Sequence, residues 1–398
     1  MTESTDVVVI GGGYAGVMAA NRLTQRDDVT VTLINPRPVF VERIRLHQLV
    51  GGSHDALVDY TQVLGDGVRL VVDTVTRIDA SERSVTLAAG GTVGYDYLVY
   101  AVGSGSADPR VPGAAEFGHP IAGLEEAERL RAVVDAAPAT AAMTVVGAGP
   151  TGIETAAELA EEGHAVTLVC GEVLGPSLHP RGRRSVAKRL ATLGVTVLEG
   201  PDARVMAVTR DDVQLTSGGR LPSTVTIWTA GFGVPDLAVR SGLSTDALGR
   251  LLTDETLTSV DDVRIVAAGD AATPSDLPFR MSCQAAGPLG AHAADTVLSR
   301  ITGGQPAPVN LGFVGQCISL GRRTGVFQLA YKDDTAKSFY VGGRTGAKLK
   351  EFVCKQTIKQ LKDEARKPGS HTWARNDQRR QLLRAKRGEA PVSAQKSA

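Results

Sequence analysis

One glycine pattern occurs twice in this chain, in the same surroundings, and it constrains the fold more than any other feature. Val7 to Leu23 reads VVVIGGGYAGVMAANRL and Met143 to Leu159 reads MTVVGAGPTGIETAAEL. Each is followed by a second apolar run, VTLIN at Val31 to Asn35 and VTLVC at Val166 to Cys170. An apolar run, a glycine turn, an Ala-rich amphipathic stretch and another apolar run make a strand–helix–strand unit with parallel strands. At 398 residues the chain has room for the two or three cores that such a duplication demands.

The spacing assigns each glycine a task. In Gly11-Gly12-Gly13-Tyr14-Ala15-Gly16, Gly11 permits the tight turn after the strand and Gly13 lets backbone approach a pyrophosphate. Gly16 lets helix and strand pack closely, and the helix amino terminus offers N–H groups to phosphate. Gly147, Gly149 and Gly152 repeat the arrangement and lead into Ile153-Glu154. Two Rossmann-like dinucleotide-binding domains are therefore expected. The position that normally carries a ribose-binding carboxylate is Asn35 in the first copy, whose amide can still accept a hydroxyl proton, with Arg37 two residues on. In the second copy it is Cys170, with Glu172 two residues further. Glu172 favours NADH, whereas Arg181, Arg183 and Arg184 favour NADPH or form the basic first turn of a surface helix. The choice between the two nucleotides stays open.

Between and after these units the pattern supplies further strands. Tyr97 to Val102 ends in Gly103-Ser104, Thr224 to Thr229 ends in Ala230-Gly231, and Val263 to Ala267 ends in Ala268-Gly269-Asp270. Beyond Gly303 the pattern changes to an α+β region, with strands at Phe313 to Leu320 and Gly325 to Ala330 and a helix over Ala347 to Lys362. From Lys367 onward Pro, Gly, Ser and charge predict a basic, flexible tail.

Zero net charge hides an asymmetry: 15 Lys and Arg against 5 Asp and Glu follow from Arg344 on, leaving a net −10 on the body before it. On the predicted last helix, Leu349, Phe352, Val353, Ile358 and Leu361 largely share a face, with Lys348, Lys350, Lys355, Lys359 and Lys362 on much of the rest. Such a helix suits an anionic membrane surface or packs its stripe on its own protein or a dimer partner; the second is favoured. No basic surface interleaved with aromatics marks a nucleic-acid binder. Cys170, Cys283, Cys317 and Cys354 lack disulfide or zinc spacing, which points to a reducing compartment and no metal. No apolar run reaches the roughly 18 residues of a membrane span, and the polar start lacks signal-peptide character. A cytoplasmic protein, or one peripheral on the inner face of the membrane, is expected.

Taken in order, the first GxGxxG, the strand ending in Ala101-Val102-Gly103-Ser104, the second GxGxxG with its GIE, the strand ending in Trp228-Thr229-Ala230-Gly231 and Val266-Ala267-Ala268-Gly269-Asp270 resemble the FAD-dependent pyridine nucleotide oxidoreductases. The resemblance implies a two-dinucleotide flavoprotein fold. An FAD domain of residues 1–112 and 244–303 would be interrupted by an NAD(P)H domain of 113–243, followed by a C-terminal region of 304–366 and a tail of 367–398. It implies Gly11, Gly13, Gly16, Asn35, Gly103 and Asp270 at the FAD, Asp270 on the ribityl chain, and Gly147, Gly149, Gly152 and Glu172 at NADH or NADPH. The family's redox cysteine pair is missing from Val41 to Val50, and Cys170 stands alone, so a dithiol relay is not expected.

Ser282-Cys283-Gln284-Ala285-Ala286-Gly287-Pro288 looks like the flavin-facing helix of type II NADH:quinone oxidoreductases and apoptosis-inducing-factor-2-like proteins, whose AQxAxQ it matches at Gln284 and Ala286. In that likeness Glu154 and Gln284 are the catalytic candidates, with Gln284 also at the FAD; Glu154 moves protons or only orients cofactor. Arg45 and His47 are weaker candidates, with an ordinary surface role preferred for both. The expected activity is hydride transfer from NAD(P)H to FAD and then electrons to a quinone-like acceptor. Its rivals are a reductase for a ferredoxin- or rubredoxin-type protein and a non-catalytic nucleotide sensor. The family and the late strands suggest a homodimer.

Overall fold

The structure is a computed structural model that describes residues 4–376 and 378–386. The first repeated unit builds a parallel five-stranded sheet in the order Ile265–Ala267, Tyr97–Tyr100, Thr5–Ile10, Val29–Asn35, Val68–Val72. The late strand Ile265–Ala267 thus returns to the sheet on which the chain began. Val7, Val9, Val31, Leu33 and Val99 lie within the core, consistent with parallel strands that are buried on both faces and read as continuous apolar runs. Helices Tyr14–Leu23 and Cys283–Ile301 pack together over one face, through Ala15, Met18, Ala19 and Leu289.

The second unit repeats the plan, with strands Gly118–Pro120, Val225–Trp228, Ala142–Val146, Ala165–Val169 and Thr196–Leu198 in that order, all parallel. Its glycine turn leads into helix Pro150–Glu161, where Pro150 occupies a first-turn position that lacks an N–H requirement. Two Rossmann-like sheets with additional C-terminal α+β elements are the architecture expected from the duplicated motif. Those C-terminal elements are an antiparallel sheet of Gly315–Ser319, Gly325–Ala330 and Ala336–Val341, followed by helix Gly343–Arg366.

The last helix differs from expectation in which side it buries. Its buried positions are Gly346, Lys350, Cys354, Leu361 and Glu364, whereas Phe352 is 61% exposed. Counting apolar residues misplaces the face because two of the buried positions carry charges that find partners inside: Lys350 meets Glu154, and Glu364 meets Arg22. The helix docks on the protein's own body, where Leu361 joins the first core and Ile358 packs against it. The chain beyond Lys367 also differs from a loose tail. His371, Asn376 and Arg379 are buried, and a helix forms over Gln378–Lys386. The remainder of the expected tail, 387–398, lies outside the described residues. Among the described residues no helix is long and apolar enough to cross a membrane.

Candidate functional site

A single cavity of about 1340 Å³ runs from the first glycine turn, past the ends of the first sheet, to the C-terminal helix. Gly11 stands at φ +100°, and a methyl group there would lie 2.3 Å from the Ala101 carbonyl oxygen. On Gly16 it would lie 1.8 Å from the Gly11 carbonyl oxygen. Gly13 differs: nothing lies within 4 Å of where its Cβ would point, so the turn keeps an open cradle. The turn is braced from below. Gly12 N–H donates to Asn35 Oδ1 at 2.9 Å, Asn35 Nδ2 donates to the Arg37 carbonyl at 2.9 Å, and the Tyr60 hydroxyl donates to the Gly12 carbonyl at 2.8 Å. Asn35 therefore lines the cavity with its amide already engaged in holding the loop. Arg37 forks onto Glu125 at 2.5 and 2.6 Å, tying the first domain to the second across this end.

Further along, Gly103, Ser104 and Asp270 come together on the cavity wall. Asp270 Oδ2 accepts from Ser104 Oγ at 2.7 Å and faces Arg43 Nη1 at 3.7 Å. The open glycine cradle and the Asp270 carboxylate line one cavity, and that lining fits an FAD.

At the other end lies a buried charge cluster. Glu154 Oε1 accepts from Lys350 Nζ and from Ser319 N–H, both at 2.8 Å, while His47 Nδ1 stands 3.7 Å from Oε2. All three side chains line the cavity. Burial raises the Glu154 carboxyl, but the charge of Lys350, the neighbouring His47 and the hydrogen bonds outweigh it and hold the group below the usual glutamate value. Lys350 stays charged, because Glu154 offsets the burial that would lower it. Burial lowers His47 to about 4, so its imidazole is neutral. Its Nε2 is buried without a hydrogen-bond partner among the described residues.

His47 and Arg45 are thus not surface groups. Arg45 turns away from the cavity and donates to Glu42 at 3.2 Å, Gln48 at 2.9 Å and both oxygens of Glu351 at 3.0 Å, pinning the C-terminal helix to this loop. The neutral His47 makes stability pH-dependent. Its folded-state pKa lies below the ordinary 6.5, so below that value the unfolded chain takes up a proton that the native state refuses. Glu154, also depressed, acts in the same direction, with stability lost as pH falls through the carboxylate range. Between pH 7 and pH 5 the His47 contribution is about 2 kcal/mol lost. Urea unfolding at both pH values should show this loss in the wild type and a smaller one in His47→Leu; equal losses would contradict it.

Gln284, on the first turn of its helix, clasps the neighbouring strand. With its amide oriented to satisfy both groups, it donates to the Gly315 carbonyl and accepts from Val314 N–H, each at 3.0 Å. Cys283, Cys317 and Cys354 line the same cavity. Burial raises Cys317 to about 12 and Cys354 to about 11 and lifts Cys283 as well, so all three are neutral thiols. Gly147, Gly149 and Gly152 form the second glycine turn, near which Pro150, Thr151 and Glu154 open onto the cavity. Glu172 lies outside the cavity, exposed, and pairs with Arg204.

Four residues, three of them on the cavity wall, give no sign of their place in the sequence. Lys350 reads as one lysine of a polar face; only the turn spacing Gly346, Lys350, Cys354 of small or unusual residues marks the buried side. Arg204 lies 32 residues from its partner Glu172, with no periodic signal. His371 and Trp373 sit where composition predicts a loose tail.

The sequence profile described as pyridine nucleotide-disulphide oxidoreductase matches residues 5–294. An NADH dehydrogenase-like protein of Mycobacterium tuberculosis is 34% identical over 74% of this chain and 80% of its own length. A type II NADH:quinone oxidoreductase of the same species is 28% identical over 76% of this chain and 74% of its own. Among solved structures, the sulfide:quinone oxidoreductase of Aquifex aeolicus matches with TM-score 0.76 at 19% identity, over 96% of this chain and 95% of that one. At that identity the likeness shows the fold alone.

Proposed function

This chain belongs to the pyridine nucleotide-disulphide oxidoreductase family and is related to type II NADH:quinone oxidoreductases, and from that premise we propose that it is an FAD-dependent NAD(P)H dehydrogenase whose acceptor is quinone-like. The observation that carries the reading is the continuity of one cavity from the glycine cradle and Asp270 to the Glu154–Lys350–His47 cluster. FAD bound along it supplies a two-electron carrier between nicotinamide and acceptor. Gly11, Gly13, Gly16, Gly103 and Asp270 hold that group, and Asn35 fixes the turn beneath it. Gly147, Gly149, Gly152 and Glu172 hold NADH or NADPH.

Reduction of a quinone by NAD(P)H consumes one proton beyond the hydride. The Glu154–Lys350–His47 cluster is placed to pass that proton into the cavity: the charged Lys350 carries it, and Glu154, held as a carboxylate, orients the lysine. Gln284 acts by positioning, keeping the first turn of its helix against the strand that carries Cys317. The setting is cytoplasmic, with an acceptor met at the membrane's inner face. Steady-state assays with menadione test the reading: consumption of NADH or NADPH should depend on the quinone, and consumption indifferent to it would contradict the reading.

Nucleotide choice rests on Glu172. Its carboxylate suits a ribose 2′-hydroxyl and repels a 2′-phosphate, and its partner Arg204 is the group a 2′-phosphate would want. NADH is the expected substrate. Glu172→Ala frees Arg204, and the ratio of kcat/KM for NADPH to that for NADH should rise about tenfold. An unchanged ratio would remove Glu172 from the site.

A further inference from the structure

The segment that follows the C-terminal helix is strapped down at both ends. On one side the buried Glu364 carboxylate accepts from Gly369 N–H and His371 N–H at 2.7 Å and from Ser370 Oγ and Arg22 Nη1 at 3.2 Å. On the other, Arg379 forks onto Glu255 and donates to the carbonyls of Leu277 and Pro274, all at 2.9 Å. Between these anchors Gly312 N–H donates to the Ala374 carbonyl at 2.7 Å and the Trp373 indole to the Asn310 carbonyl at 2.9 Å.

So fixed, the strap presents His371 and Trp373 to the cavity. The imidazole stacks on the indole with ring centroids 5.8 Å apart. His371 is 9% exposed, and its Nε2 has no hydrogen-bond partner among the described residues. It stands beside Gly287, one turn into the helix from Cys283, and close to Met18 of the glycine helix. One turn before Met18, the Tyr14 hydroxyl is likewise buried and makes no hydrogen bond of good geometry among the described residues, its polar neighbour being Thr357 of the C-terminal helix. Two orphaned polar groups on one cavity wall are costly unless a ligand meets them. Burial lowers His371 and raises Tyr14, so both are neutral at pH 7. The charges nearby are already matched, Glu364 by Arg22 and Arg379 by Glu255. A flat, uncharged ring bearing carbonyl oxygens suits such a chamber; a charged ligand does not.

We propose that the strap 370–376 closes a quinone-binding chamber in which His371 and Tyr14 hydrogen-bond the ring's carbonyl oxygens and Trp373 flanks the ring. This rests on the acceptor reading above and names the residues that would select the acceptor.

The test is calorimetric titration of the oxidised, FAD-bound protein with menadione, alongside steady-state kinetics with the same quinone. His371→Ala should raise both Kd and KM about tenfold, the worth of one buried hydrogen bond. Flavin bleaching by NADH should keep its rate. His371→Gln, which retains a donor and an acceptor, should recover most of the loss. Tyr14→Phe keeps the ring on Phe40 and cannot loosen the strap; it should weaken menadione severalfold. Wild-type affinity in both His371→Ala and Tyr14→Phe would overturn the chamber while leaving the dehydrogenase reading intact. A wild type that neither binds menadione nor turns over with it would overturn the acceptor reading itself.

Discussion

Gly11→Ala should be purified without its yellow colour and should stay colourless when FAD is added. The new methyl group meets backbone, the Ala101 carbonyl oxygen at 2.3 Å, and no side-chain rotation relieves it. The residue also needs φ +100°, which an L side chain resists. The turn must therefore shift, although Gly11 N–H is held to the Ile34 carbonyl at 2.9 Å and Gly12 is held by Asn35 and Tyr60. A stability loss of roughly 3 kcal/mol is expected, with at least a hundredfold weaker FAD binding. Gly13→Ala separates the two effects. Gly13 stands at φ −84° with open space before its Cβ, so alanine fits the protein but projects into the cradle. Flavin absorbance per chain should fall in both variants, whereas the melting temperature measured without FAD should fall only in Gly11→Ala. Full flavin content in Gly13→Ala would place the pyrophosphate elsewhere.

Lys350→Met carries the second large effect, because it strands a buried carboxylate. Glu154 would keep only the Ser319 N–H at 2.8 Å and a neutral His47, and burial would then pull its pKa upward. Removing one partner of such a pair costs about 3–5 kcal/mol at neutral pH. The deficit should shrink as pH falls, because protonated Glu154 no longer needs the lysine. Adding Glu154→Gln should restore most of the stability, since both charges are then gone, without restoring turnover. Quinone-dependent turnover should drop about a hundredfold in both the single and the double variant if the cluster delivers the proton. Urea unfolding at pH 7 and pH 5 with parallel assays separates the roles. A double variant that is stable and fully active would reduce the cluster to a structural joint.

The glycine spacing made both parallel sheets legible, because the turn, the strand before it and the helix after it are local and each requires particular residues. Glu154 was legible for the same reason, standing two residues beyond Gly152 on a helix already placed. Lys350 was not, because its burial depends on a partner nearly two hundred residues away in sequence, and a lysine among lysines gives no sign of facing inward. His47 looks like a surface group in the sequence because its helix, Leu46–Val50, is only five residues long and too short to show a period from which to infer burial. The strap was hidden by composition: Lys367-Pro-Gly-Ser looks like a free end, yet Glu364 and Arg379 hold the segment through backbone carbonyls and amides that no sequence pattern reports. Part of the charge asymmetry is met within the chain, where Lys350 and Arg379 neutralise carboxylates of the body.

Anaerobic stopped-flow absorbance of the FAD-bound protein separates hydride delivery to the flavin from its reoxidation by the acceptor. The protein is mixed first with one equivalent of NADH or NADPH and then with a short-chain quinone. The flavin band should bleach rapidly, faster with NADH, and then recover at a rate that depends on quinone concentration. A flavin band that neither nucleotide bleaches, or that the quinone does not restore, would contradict the dehydrogenase reading.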